Sequence, residues 1–422
     1  MTYKEALNYI NGTLWLGSKP GLERIRELCS LLGDPQDCLR FVHIAGTNGK
    51  GSAAAMTASV LKAAGYRTGL FTSPYLYRFN ERMQINGEQI PDDVLADIVF
   101  RIRPAAEKMK DHPTEFEMMT AAAFIRFKEA LCDIVVLEAG LGGRLDSTNI
   151  IASPECAVIM NIGLDHTGIL GNTVEEIARE KAGIIKPGCE VCLYEQEGSV
   201  ENVIASVCAE KDANLTVADF SSIKSEFDST EGQAFFYKDK EYSLPLLGRH
   251  QLKNAAVVIE TVGVLRRRGF EIPDIALEHG LYSVSWPARF EIISREPYFV
   301  VDGGHNPQCA ETVRENTLSY FPEMKHIFLV GVMADKDYPA LFDILNEAAD
   351  EFVCVTPSNP RALKAEALAA FLMKYKKPVS VCETVQDGVE KTKELALSCG
   401  GAVIATGSLY MSGDIRACFG LY

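Results

Sequence analysis

The chain has 422 residues, 47% hydrophobic and 23% charged, an ordinary balance for a water-soluble globular protein with room for two or three buried cores. Lysines and arginines number 42 against 57 acidic residues, and the net charge of −15 is spread along the chain. That balance argues against nucleic acid or an anionic membrane as a partner. No apolar run approaches a membrane span of about 20 residues. The opening MTYKEALNYING has neither part of a signal peptide, so the cytoplasm is the expected compartment.

Apolar strands alternate with helical patterns almost throughout, the signature of parallel sheets built from βαβ units. Phe41–Ala45 reads as a strand and Ser52–Ala64 as a helix closed by Gly65. Thr68–Phe71 is a short strand. Thr114 and Glu117 form a capping-box pattern opening a helix to about Ala130. Asp133–Glu138 and Cys156–Ile162 are apolar strands, and Thr173 caps a helix through Ala182. Between about 214 and 247 the texture turns polar and aromatic, which suggests a small β insertion. Helices follow at about 251–268 and 273–281. After Trp286-Pro287 a second alternation begins, with strands near 298–302, 326–331, 352–356, 378–381 and 401–405. The expected division is therefore 1–287, a P-loop parallel-sheet domain with a β insertion, and 288–422, a Rossmann-like α/β domain. The twelve cysteines read as reduced core residues, mostly in apolar runs, and Cys189/Cys192 has no second pair to complete a zinc site.

The stretch FVHIAGTNGKGS, residues 41–52, passes from strand through a glycine turn into a helix. It misses the common phosphate-loop pattern because Gly51 separates Lys50 from Ser52. Its context still supplies free backbone N–H groups, a helix N-terminus, Lys50 for β/γ-phosphate charge and Ser52 for Mg²⁺. A plain structural turn would give Lys50 no evident reason to sit among glycines. A phosphate loop needs an acidic partner at a neighbouring strand end, and Glu138 occupies such a place. Asp165 and His166 stand at a third strand end, the edge where open α/β sheets bind ligands. Lys181, followed by Ala-Gly-Ile-Ile, reads as a partly buried amine that could take up CO₂ as a carbamate and so offer Mg²⁺ an oxygen ligand.

Taken in order, GTNGKGS, TSPYL, ERMQING, EFEMMTAAAF, EAGLGGRLDSTN, IGLDHTGILGNT, EKAGIIK, GRHQLKNA, PARFE, DGGHNP and GSLY resemble the folylpolyglutamate synthase/dihydrofolate synthase family of the Mur ligase superfamily. The resemblance runs from about residue 22 to 410, and the displaced serine is that family's own loop form. It implies an ATP-dependent, monomeric ligase that uses Mg²⁺ and joins L-glutamate to reduced folates or dihydropteroate through an acyl phosphate. Carried over by position, Asn48, Gly49, Lys50, Gly51 and Ser52 would cradle the triphosphate. Ser52, Ser73, Glu138, His166 and a carbamylated Lys181 would hold metal. Asn254, Arg289 and Asp302 would contact the nucleotide, with His305 beside the phosphates. Lys50, Lys181 and His305 are the expected catalytic groups. Thr114, Glu115, Phe116, Glu117, Leu145, Asp146 and Ser147 would line the pteroate side, joined by Thr13–Leu16 with Trp15.

The sequence departs from the family at Tyr75, where histidine is usual, at Ala139 for valine and at Gly304 for alanine. Asp146 in GGRLDSTN is similar to bifunctional bacterial members, which also make dihydrofolate. Two other functions compete. A cell-wall precursor ligase of the same superfamily would share the loop and Lys181 but not TEFEMMT or GGRLDSTN. A P-loop regulator would not need PARFE or DGGHNP.

Overall fold

The computed structural model describes residues 1–422 except 15, 16 and 18, so the expectation placed on Trp15 and Leu16 lies outside the described residues. The chain forms two compact units. The first comprises Met1–Lys224, Phe236–Ser243 and Leu252–Val284. The second comprises Ser225–Phe235, Leu244–Gln251 and Ser285–Tyr422.

In the first unit, strands β1 (Phe41–Ala45), β2 (Thr68–Phe71), β3 (Met83–Ile85), β4 (Glu88–Gln89), β5 (Ile134–Glu138), β6 (Cys156–Ile159), β7 (Glu190–Leu193) and β8 (Asn214–Val217) form one sheet. Their order is β4-β3-β2-β5-β1-β6-β7-β8. From β2 to β8 the pairing is parallel. Strands β1, β5 and β6 are buried along their whole length, as unbroken apolar runs covered on both faces must be. One face packs on Phe124, Phe127, Leu95 and Ile98, and the other on Ile177, Ile184 and Ile204. Helix Lys50–Ala63 lies against helix Asp274–Tyr282 at a close approach, where a Cβ on Gly280 would stand 2.4 Å from Val60 Cα.

Two features differ from the sequence reading. Asn214–Val217 belongs not to the β insertion but to the large sheet, where Leu215 pairs with Val191. The hairpin β3–β4 went unread; its Asn86-Gly87 turn, with φ of 51° and 85°, is the Asn-Gly signal for a tight hairpin. Strands β9 (Ile223–Ser229), β10 (Gly232–Tyr237) and β11 (Lys240–Leu244) form a separate sheet in the order β11-β10-β9.

The second unit holds β12 (Glu291–Arg295), β13 (Tyr298–Val301), β14 (His326–Val330), β15 (Glu351–Cys354), β16 (Val379–Val381) and β17 (Ala402–Thr406). Their order is β12-β13-β17-β14-β15-β16, parallel except for β12, an antiparallel edge strand absent from the sequence reading. Its core gathers Phe290, Phe328, Phe342 and Phe352. All twelve cysteines are free; Cys38, Cys399 and Cys418 are exposed rather than buried. Among the described residues no helix is long and apolar enough to cross a membrane.

Candidate active site

The strand order explains how residues far apart in sequence meet. β5, β1 and β6 are neighbours, and β2 adjoins β5. Their carboxyl ends therefore bring the segments after Phe71, Glu138, Ala45 and Ile159 to one edge of the sheet, the side where such sheets bind ligands. Glu138, at the end of β5, sits in register with Ile44 of β1. It is 4% exposed, and one carboxylate oxygen accepts the Ser73 N–H at 3.1 Å.

The glycine turn is shaped by Gly49, whose φ of 83° favours glycine and which caps helix Lys50–Ala63. A side chain there would also strike Asn254, since a Cβ would lie 2.6 Å from its Oδ1. The expected nucleotide residue Asn254 is thus brought against the loop. Thr47 ties the turn to the segment after β6: its N–H donates to Asn161 O at 2.7 Å, and its hydroxyl donates to Gly163 O at 3.1 Å. That segment leads to Asp165 and His166. His166 has a left-handed φ of 51° and an exposed side chain, and its backbone N–H donates to Asp165 Oδ1.

Two amines converge on one carbonyl oxygen. Lys50 Nζ donates to Gly46 O at 3.0 Å and to Thr47 O at 3.2 Å. Lys181 Nζ donates to the same Gly46 O at 2.8 Å. Burial pushes the Lys181 amine down to about 7; the Lys50 charge adds to this, and Asp165 and Asp146 oppose it. Around neutral pH a large share of Lys181 is therefore unprotonated and nucleophilic.

The acceptor-side residues border the turn after Glu138. The Phe116 ring fills the space over Gly140, where a Cβ would lie 2.4 Å from Cζ. Thr114 and Glu117 form the expected capping box, with Thr114 N–H donating to Glu117 Oε2 at 2.7 Å. Glu117 is also paired with Arg24 at 3.1 Å, so its carboxylate is engaged within the fold. Glu115 faces Arg82 at 3.5 Å. Asp146 is buried, which pushes its carboxyl up against the lowering effect of hydrogen bonds from Thr148, Leu141 and Gly140. It caps the short 3₁₀ turn Ser147–Ile150, while Leu145 is half-buried beside it.

In the second unit, Asp302 follows β13. Its carboxylate accepts the Phe290 N–H at 2.8 Å and the Gly304 N–H at 2.7 Å. Burial raises its carboxyl, and the Arg289 charge lowers it. Arg289 lies over Gly303, where a Cβ would come 2.8 Å from its Nη1. It is flanked by left-handed residues, Ala288 at φ 56° and Phe290 at φ 45°, a costly pair for side chains with a Cβ. His305 Nδ1 is 3.2 Å from Gly303 O.

The sequence matches the Mur ligase middle domain over residues 44–262 and the Mur ligase glutamate ligase domain over 288–409. It is 37% identical over 426 residues to the dihydrofolate synthase/folylpolyglutamate synthase of Bacillus subtilis, covering 98% of each chain. The Escherichia coli protein of the same name is 32% identical, over 90% of this chain and 88% of its own. The chain belongs to the folylpolyglutamate synthase/dihydrofolate synthase family. Its fold matches the Mycobacterium tuberculosis folylpolyglutamate synthase complexed with ADP and AMPPCP, with a TM-score of 0.89, 30% identity and 99% coverage of both chains. An Escherichia coli structure with DHPP and ADP matches at a TM-score of 0.86 and 29% identity, over 99% of this chain and 97% of that one.

As a family member the protein is an ATP-dependent ligase. Several residues around this synthase site escaped the sequence reading. Arg82, in the quoted ERMQING, is buried between Tyr75 and Phe79, its guanidinium carbon 5.0 and 5.2 Å from their ring centres. Tyr75, the departure from histidine, thus packs as a ring against Phe79 and Arg82. Thr47 was visible as a hydroxyl inside the glycine turn, but its partner lies 116 residues away.

Proposed function

We propose that this enzyme joins L-glutamate to reduced folates and to 7,8-dihydropteroate, acting as a cytoplasmic monomer divided at 287/288 into an ATP-binding domain and a glutamate ligase domain. An acceptor carboxylate oxygen attacks the γ-phosphorus of ATP; ADP leaves, and an acyl phosphate forms. The glutamate amine then adds to the acyl carbon, gives its proton to solvent, and the tetrahedral intermediate expels phosphate to leave the amide. Such chemistry needs charge neutralisation and alignment more than a protein nucleophile.

Asn48–Ser52 supply the backbone cradle, and Lys50 would exchange its two carbonyl contacts for phosphate oxygens. Asn254, Arg289, Asp302 and His305 are the further nucleotide contacts of this reading. Thr114–Glu117 and Leu145–Ser147 form the acceptor side. The oxygen-rich set of Ser52, Ser73, Glu138 and a carbamate on Lys181, with His166, suits a hard cation that keeps several waters. Mg²⁺ would there offset phosphate charge. The observation that carries this reading is the meeting of Lys50 and Lys181 at Gly46 O, beside a buried Glu138 at the next strand end.

Product mass is the test. Incubated with ATP, Mg²⁺ and L-glutamate, dihydropteroate and a reduced folate should each gain the mass of glutamate less water. Gain on the folate alone would remove the dihydropteroate activity, and gain on neither would overturn the proposal.

A further inference from the structure

Behind the acceptor-side turn runs a chain of three buried side chains, of which the reading above uses only Asp146. Thr148 Oγ1–H donates to Asp146 Oδ1 at 2.5 Å, and the Thr148 backbone N–H donates to the same oxygen at 3.0 Å. The other carboxylate oxygen accepts the Leu141 N–H at 2.8 Å. His43 Nε2 lies 2.8 Å from Thr148 Oγ1. A threonine hydroxyl has one proton, and here it goes to the carboxylate. The contact with His43 therefore requires the proton on Nε2, with Thr148 accepting.

The rest of the ring agrees with that tautomer. Nδ1 is buried without a hydrogen-bond partner, where a bare lone pair costs less than an orphaned N–H. His43 and Thr148 are both 0% exposed. Burial, with Lys186 second, pushes the imidazole down to about 3, so the ring is neutral at working pH. His43 stands in the middle of β1, paired with Leu137 on one side and Ala157 on the other. A polar ring in a central apolar strand is costly unless it is hydrogen-bonded, as His43 Nε2 is to Thr148.

We propose that His43 is a positioning residue: through the Thr148 hydroxyl it fixes the Asp146 carboxylate, and with it the turn presenting Leu145–Ser147 to the acceptor. The inference rests on the reading of these residues as acceptor contacts. Without the His43 N–H, the Thr148 hydroxyl is held from the carboxylate side alone; without that hydroxyl, Asp146 Oδ1 loses its shortest donor.

The experiment compares His43→Leu, His43→Gln, Thr148→Val, Thr148→Ser and Asp146→Asn in the full-length enzyme, with KM for a pteroate or folate acceptor, KM for Mg-ATP and kcat. His43→Leu and Thr148→Val should each raise acceptor KM about tenfold, the scale of one lost hydrogen bond to a charged group, with Mg-ATP KM within about twofold. His43→Gln and Thr148→Ser, which keep a donor and a hydroxyl, should recover most of that loss. In ¹⁵N spectra His43 should show a protonated Nε2 and a bare Nδ1 at pH 7.

Unchanged acceptor KM in Thr148→Val, equal losses for acceptor and Mg-ATP, absent rescue, or protonated Nδ1 would each overturn the proposal. Should His43→Leu fail to fold, the Thr148 pair decides alone. Asp146→Asn separates the two levels. If it leaves acceptor KM unchanged, the acceptor reading itself fails; if it raises acceptor KM while Thr148→Val does not, only the role of His43 falls.

Discussion

Lys50 and Lys181 present two amines to one carbonyl oxygen, an arrangement that favours losing a charge from the more buried of the pair. Lys181 is that partner, held down to about 7. Carbamylation requires the neutral amine, so protonation suppresses it below that value and the block lifts above it. With dissolved CO₂ held equal, a CO₂-depleted preparation should therefore recover turnover on adding bicarbonate faster at pH 8 than at pH 6. Indifference to bicarbonate at both values would count against the carbamate. Lys50 is only half-buried and bonds to its own loop, so Lys50→Ala should leave the melting temperature within a few degrees. Its turnover should fall at least about a hundredfold, on the scale of losing a preorganised charge-stabilising group. The residue scale was partly legible. Lys50 among glycines and Glu138 at a strand end announce themselves by being polar where the pattern is apolar or tight. The Glu117–Arg24 pair, 93 residues apart, carries no such local mark.

Between a strand and a helix, the loop depends on backbone that only glycine supplies easily. Gly49→Ala must strain a φ of 83° and push on Asn254, so it should weaken nucleotide binding at least about tenfold while the sheet stays intact. Isothermal titration with ADP, alongside circular dichroism, would check both halves. Gly280→Ala acts on packing instead: its Cβ would meet Val60 backbone in the facing helix. The expected cost is about 1–3 kcal/mol of stability with little change in KM, read from chemical denaturation and kinetics. The buried parallel strands were legible because an apolar run covered on both faces has few other readings. β8 was not, since four residues at a sheet edge, with only partial burial, look like the polar region after them. β12 was missed for the same reason, its residues being half-buried or exposed.

At the scale of the molecule, each unit has its own sheet and its own apolar core, and the two Mur ligase matches fall on either side of Val284 and Ser285. Within the first unit, strand order does the gathering: residues 46–52, 73, 138 and 165–166 meet at one edge because β2, β5, β1 and β6 are consecutive neighbours. That order cannot be read from periodicity, which fixes strands but not their neighbours; the strand-end positions of Ser52, Glu138, Asp165 and His166 suggested one shared edge, and the family resemblance added Ser73. The central claim is that this edge couples ATP cleavage to amide formation. Phosphate release from Mg-ATP, measured with acceptor and L-glutamate supplied together and singly, tests it most directly. Sustained release only when both are present is the predicted result; equal release with either one omitted would contradict it.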